Sequence, residues 1–281
     1  MVAVALGFSA ALCWGLADFL GGISARRLTL AAVLLVSQLT ALAVIALVVS
    51  AGSVETASLG DVAPAIGAGI CQLFGIAALY RALAIGTMGV ISPISASGAA
   101  AVPVIVGLAT GERPGGLAFA GMAVAFVGVL LATRSAGDSG SGGSPRQALI
   151  LSAVAAAGFG GFFVGMDAAV DDADPFWALF AARASAGVVL VTVLLFLRPR
   201  IDAAAADLPA LALIGLLDVS ANACFTLGTE TGLLSVVAVL ASLYPVATVV
   251  LARAVLGERL ARVQGVGVGI ALAGVALIAA G

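Results

Sequence analysis

Long apolar stretches alternate with short polar connections along the whole chain. A helix that crosses hydrocarbon needs about 20 apolar residues. Ten segments meet that requirement, at 2–22, 28–50, 61–83, 88–109, 115–133, 147–168, 175–197, 208–229, 233–255 and 261–280. The first lacks the basic opening of a cleaved leader and reads as a spanning helix. The longest connection, Ser135 to Pro145, is a Gly/Ser-rich flexible linker between the fifth and sixth segments. The pattern predicts an all-α integral membrane fold of ten transmembrane helices. It divides into a first five-helix unit (1–134), a linker (135–146) and a second five-helix unit (147–281).

The two units resemble each other. Gly111-Glu112-Arg113 returns as Gly257-Glu258-Arg259, 146 residues later. At that fixed offset, with no gap, residues 61–131 and 207–277 share 15 identities in 71 positions. Asp61 meets Asp207, Gly69 meets Gly215, Gly86 meets Gly232, Gly121 meets Gly267 and Gly128-Val129 meets Gly274-Val275. Shared glycines and charges are harder to obtain from apolar composition than shared Ala, Val or Leu, so the spacing predicts an internal duplication.

Composition narrows the class of protein. Hydrophobic residues make up 63% of the chain and charged residues 9%, with a mean hydropathy of +1.25. A soluble domain carries about 25% charged residues, so the lipid bilayer is the expected solvent. The net charge of −2 and the lack of a basic stripe exclude a nucleic-acid partner. The 36 glycines suit close helix contact in lipid. Cys13, Cys71 and Cys224 have no metal or redox spacing and read as small packing residues. No cofactor or metal is expected.

Arginine sets the orientation. Odd-numbered loops hold Arg26, Arg27, Arg134, Arg146, Arg198, Arg200, Arg259 and Arg262, whereas even loops and termini hold only Arg113, with Glu55, Asp171, Asp172 and Asp174. The odd loops are therefore expected in the cytoplasm of a multi-pass plasma-membrane (inner-membrane) protein, with both termini outside. Five helices per unit then turn the second unit upside down relative to the first. The fold expected is two inverted five-helix repeats around a central cavity.

Ten helices, a five-plus-five duplication and an apolar helix ending in Gly-Glu-Arg resemble the EamA family of the drug/metabolite transporter superfamily. The opening Leu12-Cys13-Trp14-Gly15-Leu16-Ala17-Asp18-Phe19 is similar to that family's first helix, as is Leu243-Tyr244-Pro245 thirteen residues before Glu258. The first half departs from the pattern, with Ala99 at the equivalent place and Pro93 and Pro103 flanking it. The resemblance implies a secondary transporter with alternating access around a central cavity. It also implies export of amino acids, drugs or other metabolites.

Charge at mid-bilayer costs about 2.5–3.5 kcal/mol per residue on insertion scales, so it is usually functional or paired. Four polar residues fall near helix centres. Gln38 and Arg183 are related by an offset of 145, Gln72 and Asp218 by 146. These four are expected to line a substrate site near the midplane. Two readings stand for Arg183 and Asp218. They form a buried salt bridge between helices seven and eight, or Arg183 holds a substrate anion and Asp218 a cation or proton. Asn222 extends the stripe of Asp218, one turn on. Trp14 and Asp18 share a face of helix one and add a ring and a carboxylate. With no His in the chain, Asp218 and Asp18 are the candidate proton-coupling groups. Pro93 in Ser92-Pro93-Ile94-Ser95 and Pro245 remove backbone donors and are expected to break or bend helices four and nine.

Glu112, Arg113, Glu258 and Arg259 read as helix-terminal structure, with Gly closing one helix and Glu favouring the start of the next. A Glu–Arg gate pair on each face is the alternative. Asp167, Asp171, Asp172 and Asp174 read as a solvated acidic loop.

The function expected is secondary active transport of a small polar, amino-acid-like or drug-like metabolite. A lipid or glycolipid flippase on the same fold is the alternative. An intramembrane enzyme fits less well: the chain lacks His, a Gly-x-Gly-Asp turn before Asp218, a metal cluster and a Walker A motif.

Overall fold

The computed structural model describes residues 2–52, 54–109, 116–133, 144–231, 240–241, 243–258 and 261–280. Within them lie ten helices: α1 (Val2–Arg27), α2 (Leu30–Ala51), α3 (Ala63–Ile85), α4 (Met88–Ala109), α5 (Gly116–Thr133), α6 (Pro145–Val170), α7 (Pro175–Leu197), α8 (Leu208–Thr231), α9 (Tyr244–Leu256) and α10 (Arg262–Ala280). Six of these, α1, α2, α3, α6, α7 and α8, hold spans long and apolar enough to cross a bilayer. Glu112, Arg113, Arg259 and most of the linker lie outside the described residues.

Local chemistry explains where several helices begin and end. Thr29 caps α2, its Oγ1 accepting from Ala32 N at 3.4 Å. Asp174 caps α7, accepting from Phe176 N at 2.8 Å. It therefore acts as a helix cap rather than as part of a free acidic loop, while Asp167, Asp171 and Asp172 are exposed. Pro64, Pro145, Pro175 and Pro245 occupy first turns, where a missing N–H costs nothing. Gly257 ends α9 with φ 65°, a left-handed cap that glycine adopts without strain.

Pro93 and Pro245 differ in what they do. α4 runs through Pro93 without a break. Of the segment expected as one helix over 233–255, residues 233–239 and 242 lie outside the described residues, 240 and 241 are helical, Leu243 is a turn and α9 starts at Tyr244 with Pro245 in its first turn. Helical residues 240 and 241, the turn at Leu243 and the new start at Tyr244 agree with a helix interrupted beside Pro245, whose fixed φ suits a first turn.

The helices pack in matched pairings. α3 packs on α6 and α1 on α8, α3 on α7 and α8 on α2, α4 on α6 and α9 on α1. α2 with α7, α4 with α9 and α5 with α10 are further pairs. Glycines make the closest approaches. A Cβ on Gly69 would run into Ala182 O and Ser185 Oγ of α7, and one on Gly215 into Ser37 O and Thr40 of α2. A Cβ on Gly128 would meet Ala271, and one on Gly274 would meet Ala125. In lipid the tails are as apolar as the side chains, so such backbone proximity is a main source of helix adhesion. Leu47, Phe126, Val188 and Phe196 instead point outward and are exposed, as a lipid-facing surface requires.

Candidate functional site

The polar residues of the helix centres converge where α2, α7 and α8 meet. Arg183 is 1% exposed and is among the largest fully buried side chains. Its Nη1 donates to Gln38 Oε1 at 3.1 Å, and its Nη2 lies 2.6 Å from Asp218 Oδ2. That second approach is off the axis of a hydrogen bond, so Nε and Nη2 have no aligned acceptor and the contact is an ion pair. Gln38 and Asp218 are themselves buried. One partner comes from each side of the linker, so the cluster ties the two units together.

The ion-pair reading of Arg183 and Asp218 is therefore the geometry observed. Removing two charges from water costs several kcal/mol each, and mutual attraction repays this only with good geometry and further hydrogen bonds. Gln38 supplies one such bond. Nη2 is taken up by the Asp218 ion pair, and the Nε edge, which has no aligned acceptor, keeps one donor for a further polar group.

The remaining expected residues divide. Gln72 is 4% exposed and its Oε1 has no partner among the described residues. It is a buried acceptor in need of a donor, which costs free energy unless something fills the role. Asn222 does not extend the Asp218 carboxylate outward. Its Nδ2 turns back to Asp218 O at 2.7 Å, one helical turn away. Asp18 is half-buried on α1, within electrostatic range of Asp218. Trp14 packs in a ring cluster, 6.0 Å from Phe225 and 6.1 Å edge-on from Tyr244. Pro93 is buried in α4 beside Ser92, whose Oγ is unpartnered.

Glu258 does something the sequence reading missed. It had been expected to favour the start of the following helix, or to pair with its neighbour Arg259. Instead its Oε1 accepts from Met88 N at 3.3 Å and its Oε2 from Gly89 N at 3.1 Å, capping α4 in the other unit. Its Oε1 also lies 3.3 Å from Arg26 Nη2. Arg26 in turn donates to Leu83 O at 3.1 Å and Gly86 O at 3.3 Å. Four chain segments thus meet at one latch: the end of α1, the end of α3, the start of α4 and the end of α9. All of them border odd-numbered loops. The free N–H groups and positive end of α4 attract a carboxylate from any neighbour, not only one on its own segment. Nothing local to Gly-Glu-Arg signals this; the pairing is set by where α9 ends.

Residues 146–280 match the model of the EamA-like transporter family. The second half of the chain belongs to that family. That match and the apolar spans support a multi-pass membrane transporter of the drug/metabolite type. Among solved structures, one described only as "Crystal structure of protein" is similar, with a TM-score of 0.65 and 14% identity over 98% of this chain and 95% of its own. That likeness speaks for the fold alone. No curated protein matches the chain.

Proposed function

We propose that the protein is a secondary active transporter that moves a small polar, amino-acid-like or drug-like metabolite across the plasma membrane by alternating access, in the export direction and coupled to protons. The observation that carries the reading is the buried Arg183–Asp218 pair with Gln38, where helices from both units meet. A charged group that deep is costly, and its usual justification is a solute or ion path. The unpartnered Gln72 Oε1 and Arg183 Nε add an acceptor and a donor for a polar solute. Asp218 and Asp18 are the carboxylates available for proton exchange.

The reading includes two inverted five-helix repeats. Its support is the equivalence of the close contacts. Gly69 approaches Ala182 and Ser185, and Gly215 approaches Ser37 and Thr40. Ser37 and Thr40 precede Ala182 and Ser185 by the same 145 residues that separate Gln38 from Arg183. Alternating access then amounts to rocking one unit against the other about this seam. The Arg26–Glu258 latch closes the odd-loop face, taken as cytoplasmic.

The test is exchange of small metabolites by purified protein in liposomes under an imposed pH gradient. Arg183→Gln is expected to lower affinity for a carboxylate substrate at least tenfold. Uptake indistinguishable from empty liposomes across amino acids, amines and organic acids would reject the transporter reading as stated.

A further inference from the structure

Asp18 is a half-buried carboxylate of the apolar helix α1 that has no hydrogen-bond or ion-pair partner among the described residues. Counting the buried cluster, Arg183 carries one positive charge against the two carboxylates of Asp18 and Asp218. Asp218 is held by the guanidinium of Arg183, which also binds Gln38. Asp18 makes no hydrogen bond or ion pair with any described residue. A carboxylate in apolar surroundings is not stable uncompensated, so this site calls for one positive charge from outside the protein.

The surroundings say which kind of cation. Asp18 lies on α1 between two close helix approaches. At Gly15, a Cβ would run into Ala247 and Tyr244 O of α9, and at Gly21 into the ring of Tyr80 on α3. Both tyrosines lie within electrostatic range of Asp18. One turn before Asp18, Trp14 meets Tyr244 and Phe225. Rings offer their negative faces to a weakly hydrated cation, and a carboxylate supplies its counter-charge. A hydrated metal ion wants several oxygen ligands, and no three acidic or other metal-ligating side chains cluster among the described residues. Aromatic faces beside a single carboxylate suit an organic ammonium group.

We propose that Asp18, with Trp14, Tyr244 and Phe225, forms an ammonium subsite, so that the transported solute is an amine carrying one positive charge. This rests on the transporter reading and deepens it. Recognition of the amine moves from Asp218, which Arg183 already neutralises, to Asp18 one helix away. A zwitterion would place its ammonium at Asp18 and its carboxylate toward the Nε donor of Arg183. A simple amine would use Asp18 alone.

The chain has two tryptophans, and Trp177 stacks with Phe180 on α7, away from α1. In a Trp177→Phe background, Trp14 is therefore the sole fluorophore and reports on its own neighbourhood. Phenethylammonium is expected to change Trp14 emission saturably, while phenylacetate and 2-phenylethanol, which match it in size but lack the positive charge, do not. Asp18→Asn is expected to weaken that binding at least tenfold, Asp18→Glu to retain it within a few-fold, and melting curves of both to show folded protein. Equal binding of all three probes, or binding unchanged in Asp18→Asn, overturns the subsite. Loss in both Asp18→Asn and Asp18→Glu also overturns it, because the charge would not be the determinant. Flux of the same amine into liposomes separates the two readings. Charge-selective binding without flux upholds the subsite and counts against transport of amines. Metabolite flux without Asp18-dependent binding upholds transport and rejects the subsite.

Discussion

Neutralising Asp218 is expected to destabilise the protein far more than its modest size suggests. In Asp218→Asn the buried guanidinium of Arg183 keeps its 3.1 Å bond to Gln38 but loses the carboxylate 2.6 Å away. Removing one member of a buried pair costs about 3–5 kcal/mol, because the other charge is left uncompensated. Arg183 is 1% exposed and cannot reach water without rearranging α7. At about 2–4 °C per kcal/mol for chains of 150–250 residues, the melting midpoint should fall by roughly 6–20 °C. Arg183→Gln should cost a similar amount, since it strands Asp218. The double variant Arg183→Gln/Asp218→Asn should recover most of the loss, because two neutral amides tolerate each other where one bare charge does not. The assay is thermal unfolding in detergent for the wild type, both single variants and the double, read as a double-mutant cycle. A double variant that loses the sum of the single losses would refute the coupling. So would a wild-type midpoint in Asp218→Asn, since the charge would then be solvated in a way the buried pair does not allow.

Other expected outcomes follow from the same geometry. Gly69→Ala and Gly215→Ala, which drive a methyl into backbone carbonyls of α7 and α2, should each cost about 1–3 kcal/mol or prevent folding, whereas Gly67→Ala, with open space around it, should be nearly neutral in a melting experiment. Glu258→Gln should change stability by only about 0.2–1 kcal/mol, because the Arg26 pair is partly exposed. The same variant should raise labelling of a cysteine placed at buried Ser92 by a membrane-impermeant maleimide from the odd-loop side. Unchanged labelling would remove the latch as a gate. Single cysteines at Ser58 and Asp171 should label from outside cells and one at Asp202 only after lysis. The reverse pattern would overturn the orientation taken from arginine.

Much of this was legible along the chain. Hydropathy placed the helices within a few residues over most of the length, because the requirement for about 20 apolar residues is local. Within the segment expected over 233–255, residues 233–239 and 242 lie outside the described residues, and α9 starts at Tyr244 after a turn at Leu243. The fixed offset related Gln38 to Arg183 and Gln72 to Asp218, and the structure brings the first two into hydrogen-bond contact. The offset left open whether Arg183 and Asp218 meet each other, and it did not show that Asn222 bonds back to Asp218 O.

The amino-acid sequence by itself determined the apolar solvent, most of the helices and the single offset that relates the polar residues of the two halves. Each is a sum over neighbouring residues, or a comparison at one spacing. Only the tertiary structure decided partners. It closed Arg183 on Asp218 and Gln38, sent Glu258 to the start of α4 and to Arg26, and left Asp18 with no ion-pair partner among the described residues. Those outcomes depend on which helix faces touch, and small-residue seams such as Gly69 on Ala182 and Gly215 on Ser37 bring them together across more than a hundred residues of chain.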